Sequence, residues 1–131
     1  MNKHEVLIKD ENDIVIARRK AREIAKFVGF SLTDQTRIIT AVSELSRNIY
    51  EYAGKGKITI EQENENAKEG LKIVFEDDGP GIKDLALAMK EGYTSGKGMG
   101  LGLPGSKRLM DEFEVTSEIG KGTRVIIKKW K

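Results

Sequence analysis

The chain has 131 residues, enough for one compact domain, residues 1–131, around a single hydrophobic core and too few for two. Its 23 Lys and Arg against 21 Asp and Glu leave a net charge of +2, a balance that demands neither nucleic acid nor an anionic membrane as partner. The lack of cysteine removes disulfides, thiolate metal sites and a cysteine nucleophile together.

The N-terminus, MNKHEVLIKDEND, has too short an apolar stretch for a signal peptide. No segment approaches the roughly 20 apolar residues that span a bilayer, so the expected location is the cytoplasm. A short opening strand is predicted over 5–10. Residues 11–30 follow with Ile14, Ala17, Ala21, Ile24, Ala25 and Val28 at helical spacing, capped by Asn12 or Asp13 and ended by Gly29. A second helix, capped by Thr33 or Asp34, buries Ile38, Ala41, Val42, Leu45 and Ile49 and stops at Gly54. Two strands, 57–63 and 71–77, joined by the polar loop NENAKEG, read as a hairpin. A short helix over 82–92, a glycine-rich segment over 92–102 and a helix over 104–113 come next. The end, FEVTSEIGKGTRVIIKKW, reads as a second hairpin turning at GKG. The order β-α-α-β-β-α-α-β-β lacks strand–helix alternation and predicts an α+β sandwich, helices on one face of a mixed or antiparallel sheet. Val6, Ile8, Ile73, Phe75, Val125 and Ile127 are expected in the core.

Four stretches stand out from this scaffold. In EDDGPGI, Asp77 and Asp78 precede a turn built from Gly79, Pro80 and Gly81, a composition that by itself means no more than a surface turn. In SGKGMGLGLPG, glycines are dense just before a helix, where unpaired backbone N–H groups suit phosphate. The segment GYTSGKG is one residue short of a Walker A loop, and Gly98 stands where that loop needs Ser or Thr. Gly100, Gly102 and Gly105 match GxGxxG, but no strand precedes them, so a dinucleotide fingerprint is not indicated. In SELSRN, Glu44 and Asn48 are four apart on a helix and face the same way. A carboxylate and a carboxamide at the core's margin can hold Mg²⁺ through the amide and orient or deprotonate a nucleophile through the carboxylate.

Taken together, SELSRN, DDGPG, GMGLG and GKGT occur in an order and spacing that resembles the GHKL ATPases, the superfamily of gyrase, Hsp90, histidine kinases and MutL. The resemblance implies the Bergerat ATP-binding sandwich, with helices on one face of a mixed sheet. It further implies that Asp77 receives the adenine amine, that Gly79 and Gly81 let the backbone pass close to the base, and that Thr123 after Gly122 supports the adenine contact. By the same resemblance Glu44 activates the nucleophile, Asn48 binds Mg²⁺, and Gly98, Gly100 and Gly102 cradle the phosphates of ATP. Asp78 is the variable position of the motif, expected as an outward cap.

About 16 residues separate Gly81 from Gly98, a lid short for a chaperone or topoisomerase. A histidine kinase would bring a dimerisation helix pair with a phosphoacceptor histidine, and His4 is the one histidine here. Across essentially its whole length the chain instead resembles the small bacterial serine kinases that control sigma-factor regulators, above all the RsbT-type switch kinases of the stressosome. That implies phosphorylation of Ser or Thr on STAS-domain scaffold and antagonist proteins and activation of a PP2C-type phosphatase. A nucleotide-binding anti-sigma factor of the same fold is the alternative. A basic nucleic-acid module is the more distant one, since the clusters KGK, SKR and IKKWK are short and Trp130 is the one aromatic placed to stack on bases.

Overall fold

The computed structural model describes residues 3–90 and 102–131. The predicted segment from Gly92 through Gly98 and Gly100 lies outside these residues. The elements in chain order are β1 (Lys3–Ile8), α1 (Asn12–Val28), α2 (Leu32–Asn48), a π-helical turn (Ile49–Ala53), β2 (Gly56–Glu65), β3 (Lys68–Asp77), α3 (Leu85–Ala88), α4 (Leu103–Leu109), β4 (Glu112–Glu118) and β5 (Gly122–Trp130). The strands form one sheet in the order β1-β2-β3-β5-β4. Each of the four pairings is antiparallel, so of the two sheet types open to the sequence the described residues form the antiparallel one.

Alternation along the strands decides which face the helices cover. Val6, Ile8, Ile58, Ile60, Ile73, Phe75, Val125 and Ile127 are buried in one core cluster with Ala21, Ile24, Ile38, Val42 and Leu45 of α1 and α2. All six strand positions expected in the core are among them. The opposite face carries the intervening residues and is held in water by ion pairs between strands. They include Lys57 with Glu5 at 3.7 Å, Arg124 with Glu76 at 3.5 Å and Lys128 with Glu63 at 3.6 Å. Such pairs contribute little stability and chiefly keep that face solvated.

The helix ends differ from the sequence reading in an instructive way. Gly29 ends α1 in the left-handed region at φ 102°, as expected. The start of α1, however, has no side-chain cap: Asp13 turns back to accept from the backbone N–H of Lys9 and Asp10, tying the helix to the end of β1. In α2 the cap is Ser31, whose Oγ accepts from Asp34 N at 3.1 Å; Asp34 itself pairs with Arg37 at 2.8 Å. The polar stretch read as a loop between β2 and β3 is mostly strand, since the ladder runs to Glu65 opposite Lys68. Only Asn66 and Ala67, at φ 51° and 68°, make the turn, and their positive φ matches the twist of a two-residue hairpin.

Candidate nucleotide site

The end of α2 sets the first wall of the site. One residue beyond Asn48 the helix widens into the π-helical turn Ile49–Ala53, which Gly54 closes by donating its N–H to Ile49 O at 2.9 Å. Widened turns of this kind occur frequently at functional positions. Here the turn brings Tyr52 and Ala53 over the end of β3, and together with Asn48 and Ile49 they line a cavity of about 180 Å³. Its other walls are Leu45, Phe75, Val125, Leu103 and the turn Pro80–Lys83, with Asp77 and Thr123 as polar groups inside. An apolar cavity with a few convergent polar groups is how small-molecule sites are built. The volume lies below the roughly 300 Å³ at which whole-ligand sites begin, which suits a heterocyclic base whose remaining parts extend outward. Larger grooves of about 370 and 330 Å³ flank the same corner, and charged residues make up most of the lining of each.

Asp77 is oriented by the backbone around it. Its Oδ1 accepts from Gly79 N at 2.9 Å and from Thr123 N at 3.3 Å. Its Oδ2 has no hydrogen bond among the described residues. Burial pushes its pKa above the usual value of 3.8, the two backbone donors counter that, and the charge of neighbouring Asp78 adds to the rise. A carboxylate kept partly desolvated, with one oxygen fixed and the other open, is poised to accept a hydrogen bond from an amine that enters the cavity. Asp78 points outward and is exposed, as expected, but caps nothing: neither of its oxygens is bonded among the described residues.

The turn after Asp77 is held at three places, two on the second hairpin and one on the π-helical turn. Pro80 O accepts from Gly120 N at 2.9 Å, Ile82 N donates to Ser117 Oγ at 2.7 Å, and a Cβ on Gly79 would come 2.6 Å from that of Ala53. At Gly81 the backbone is left-handed, φ 80°, and a Cβ would strike the carbonyl of Glu118. At Gly122, φ 111°, it would strike the carbonyl of Asp77 itself. Only glycine allows β3 and β5 to close this corner. Gly122→Ala should therefore lower the unfolding free energy in urea by about 2 kcal/mol or more, because left-handed strain and overlap add. An unchanged midpoint would show that the corner relaxes freely.

Glu44 sits one turn before Asn48, half-buried, and does not line the cavity. It lies instead against the start of α4, where a Cβ on Gly102 would be 2.9 Å from Glu44 Oε2 and 3.0 Å from its Cβ. The structure thus brings together Asn48, Asp77, Gly81 and Thr123 around the cavity, Gly79 behind them as a donor to Asp77 and outside the lining, and Glu44 with Gly102 beside it. Gly98 and Gly100 lie outside the described residues. Sequence reading overlooked Ser117, which meets Thr123 Oγ1 at 2.9 Å, although counting back across the GKG turn would have found it as the register partner of Thr123. It also overlooked the apolar walls Leu45, Ile49 and Val125, whose periodicity marks core and carries no sign that they border a cavity.

Asn48 can supply one oxygen to Mg²⁺. Among the described residues no group of three or more His, Cys, Asp or Glu could hold a metal by itself.

Among the described residues no helix is long and apolar enough to cross a membrane. Residues 33–131 match the family described as histidine kinase-, DNA gyrase B- and HSP90-like ATPase. The chain is 54% identical over 125 residues to the serine/threonine-protein kinase RsbT of Bacillus subtilis, covering 95% of this chain and 94% of that one. It is 33% identical over 132 residues to the anti-sigma F factor of Clostridium kluyveri, covering 97% of this chain and 92% of that one. Among solved structures, the RsbU and RsbW domains of Rv1364c from Mycobacterium tuberculosis align over the whole chain with a TM-score of 0.70 at 16% identity, this chain spanning 33% of that protein. The catalytic domain of histidine kinase ThkA aligns over 98% of this chain and 95% of its own with a TM-score of 0.56 at 19% identity, a likeness of fold. The chain belongs to the histidine kinase-, DNA gyrase B- and HSP90-like ATPase family, within the group that contains the RsbT serine/threonine kinases and the anti-sigma F factors.

Proposed function

We propose that residues 1–131 act as one unit, a serine/threonine protein kinase that seats the adenine of ATP in the cavity at Asp77 and passes the γ-phosphoryl group to a hydroxyl of a partner protein. The observation that carries the reading is the open Oδ2 of Asp77 in an apolar cavity bordered by Asn48, with Glu44 one helical turn away. Adenine offers its exocyclic amine as donor, and the ionised carboxylate is an acceptor only. Gly79 and Gly81 keep the turn close to the base, and Thr123 supports it from β5. Asn48 contributes an oxygen to the Mg²⁺ that neutralises the phosphates. Gly102, with Gly98 and Gly100 before it, follows the phosphates with its backbone. Glu44 orients the incoming hydroxyl and takes its proton. Phosphoryl transfer needs chiefly positioning and charge stabilisation, so this small set suffices.

The 54% identity to RsbT supports Ser or Thr as acceptor and a role in bacterial stress signalling. STAS-domain scaffold and antagonist proteins are the substrates this reading assigns, and a PP2C-type phosphatase is the target it assigns to the released kinase. The test incubates the chain with Mg²⁺ and γ-labelled ATP, with and without a STAS-domain protein, and treats the product with acid. Acid-stable label on the partner's Ser or Thr is expected, with turnover slow for the chain alone. Free phosphate released at a rate that no STAS protein alters would overturn the kinase reading. The 33% identity to anti-sigma F factors favours one alternative, a nucleotide-binding protein that sequesters a sigma factor; ATP-dependent retention of a sigma factor without phosphotransfer would establish it.

A further inference from the structure

Ser117, on β4 opposite Thr123, has two acceptors within reach of its single proton, Gly122 O and Thr123 Oγ1. Its Oγ accepts from Ile82 N at 2.7 Å, lies 2.9 Å from Thr123 Oγ1, and lies 3.2 Å from Gly122 O, to which it can donate. A hydroxyl has one donor and two acceptor positions. If Ser117 donates to Gly122 O, the Thr123 hydroxyl spends its proton on Ser117 and shows the cavity only lone pairs. If Ser117 donates to Thr123 Oγ1 instead, the Thr123 proton is released toward the cavity. Ile82 N is an unvarying donor, so it holds one Ser117 lone pair in both arrangements and leaves the choice to the proton alone.

We propose that Ser117 is a positioning residue for base recognition, its hydroxyl proton setting whether Thr123 donates or accepts toward the cavity. The proposal rests on the adenine reading of the cavity given above. Beside the amine that Asp77 accepts, the Watson–Crick edge of adenine presents ring nitrogen N1, an acceptor. Guanine reverses both, with a carbonyl where adenine has the amine and an N–H at N1. Adenine therefore selects the arrangement in which Ser117 donates to Thr123 and Thr123 donates to N1, directly or through a water. Ser117 thereby adds a donor to the acceptor that Asp77 supplies, and the pair matches adenine and opposes guanine. Because Ser117 also anchors Ile82, the same hydroxyl couples the turn that covers the base to the group that reads its edge.

Titration calorimetry with ATP·Mg²⁺ on the wild-type chain, Ser117→Ala, Ser117→Thr, Thr123→Val and the double variant Ser117→Ala/Thr123→Val tests this. Ser117→Ala should weaken ATP binding about fivefold to tenfold in the wild-type background and less than about twofold when Thr123 is already Val. Ser117→Thr, which keeps the hydroxyl, should retain wild-type affinity. An equal loss from Ser117→Ala in both backgrounds would overturn the proposal, since Ser117 would then act through Ile82 or through folding and not through Thr123. Failure of the adenine reading itself has a different signature: Asp77→Asn and Thr123→Val would both bind ATP like wild type, and the proposal would fall with it.

Discussion

Glu44→Gln is expected to cut phosphoryl transfer by about 100-fold or more while ATP binding changes little. The substitution keeps the length and hydrogen-bonding capacity of the side chain and removes its basicity. Glu44 does not line the base cavity, so the adenine contacts at Asp77 and Thr123 have no reason to change. Its contact is with the start of α4, against Gly102, and glutamine preserves that packing. Single-turnover phosphotransfer to a STAS-domain protein, measured beside equilibrium binding of ATP·Mg²⁺, separates the two effects. Equal losses of affinity and turnover would make Glu44 a structural residue that props α4 against α2. A kinase retaining full turnover would place the base elsewhere.

Asp77→Asn should show the opposite division, with ATP affinity falling at least about 100-fold and the free protein as stable as wild type or more so. An asparagine free to turn its amide would offer oxygen to the adenine amine. The backbone forbids it: Gly79 N and Thr123 N both donate to Oδ1, so a turned amide would set its NH₂ against two N–H groups. The amide oxygen stays with those donors, and a donor replaces Oδ2 where the adenine amine must arrive. The stability expectation follows from the raised pKa of Asp77, caused first by its burial. Between the unfolded value of 3.8 and the higher folded one, the folded chain holds the proton more tightly. That contribution to stability is complete below 3.8 and is lost as the pH rises through the folded value, so at neutral pH the ionised side chain costs stability. Asparagine removes the cost. For the same reason, wild-type ATP binding should weaken as the pH is lowered toward the raised value, because the protonated side chain begins to donate where it must accept. Urea unfolding and nucleotide titration across pH 4 to 7 test both halves, and retained ATP binding by Asp77→Asn would place the base in another cavity.

Much of the scaffold was legible because local chemistry and tertiary demand coincide. The helical stripes of α1 and α2, the alternating Val, Ile and Phe of the strands, and Gly29 and Gly54 as helix ends each report a burial pattern or a backbone constraint set by adjacent residues. Boundaries were less legible. Thr33 and Asp34 look like caps as well as Ser31 does, and only the direction in which the chain leaves α1 chooses Ser31. The polar run between β2 and β3 resembles a loop because its side chains are hydrophilic, yet the backbone keeps pairing to Glu65 and Lys68, since ladder bonds do not depend on side-chain polarity.

The division at the site is sharper. Sequence by itself determined the residue types and their order: Glu44 and Asn48 one helical turn apart, Asp77 before a glycine turn, and Thr123 after Gly122. Spacing on a helix and the steric freedom of glycine are properties of the chain alone. Only the tertiary structure decided which oxygen of Asp77 is free, that Glu44 borders Gly102 outside the base cavity, and that Ser117 joins Thr123 to Ile82. Each of those facts needs the β3–β5 corner closed and the π-helical turn laid over it, bringing into contact groups as far apart in the chain as Asp77 and Thr123. A hydrogen bond across that separation is directed by the geometry of the whole sheet, and no local pattern encodes it.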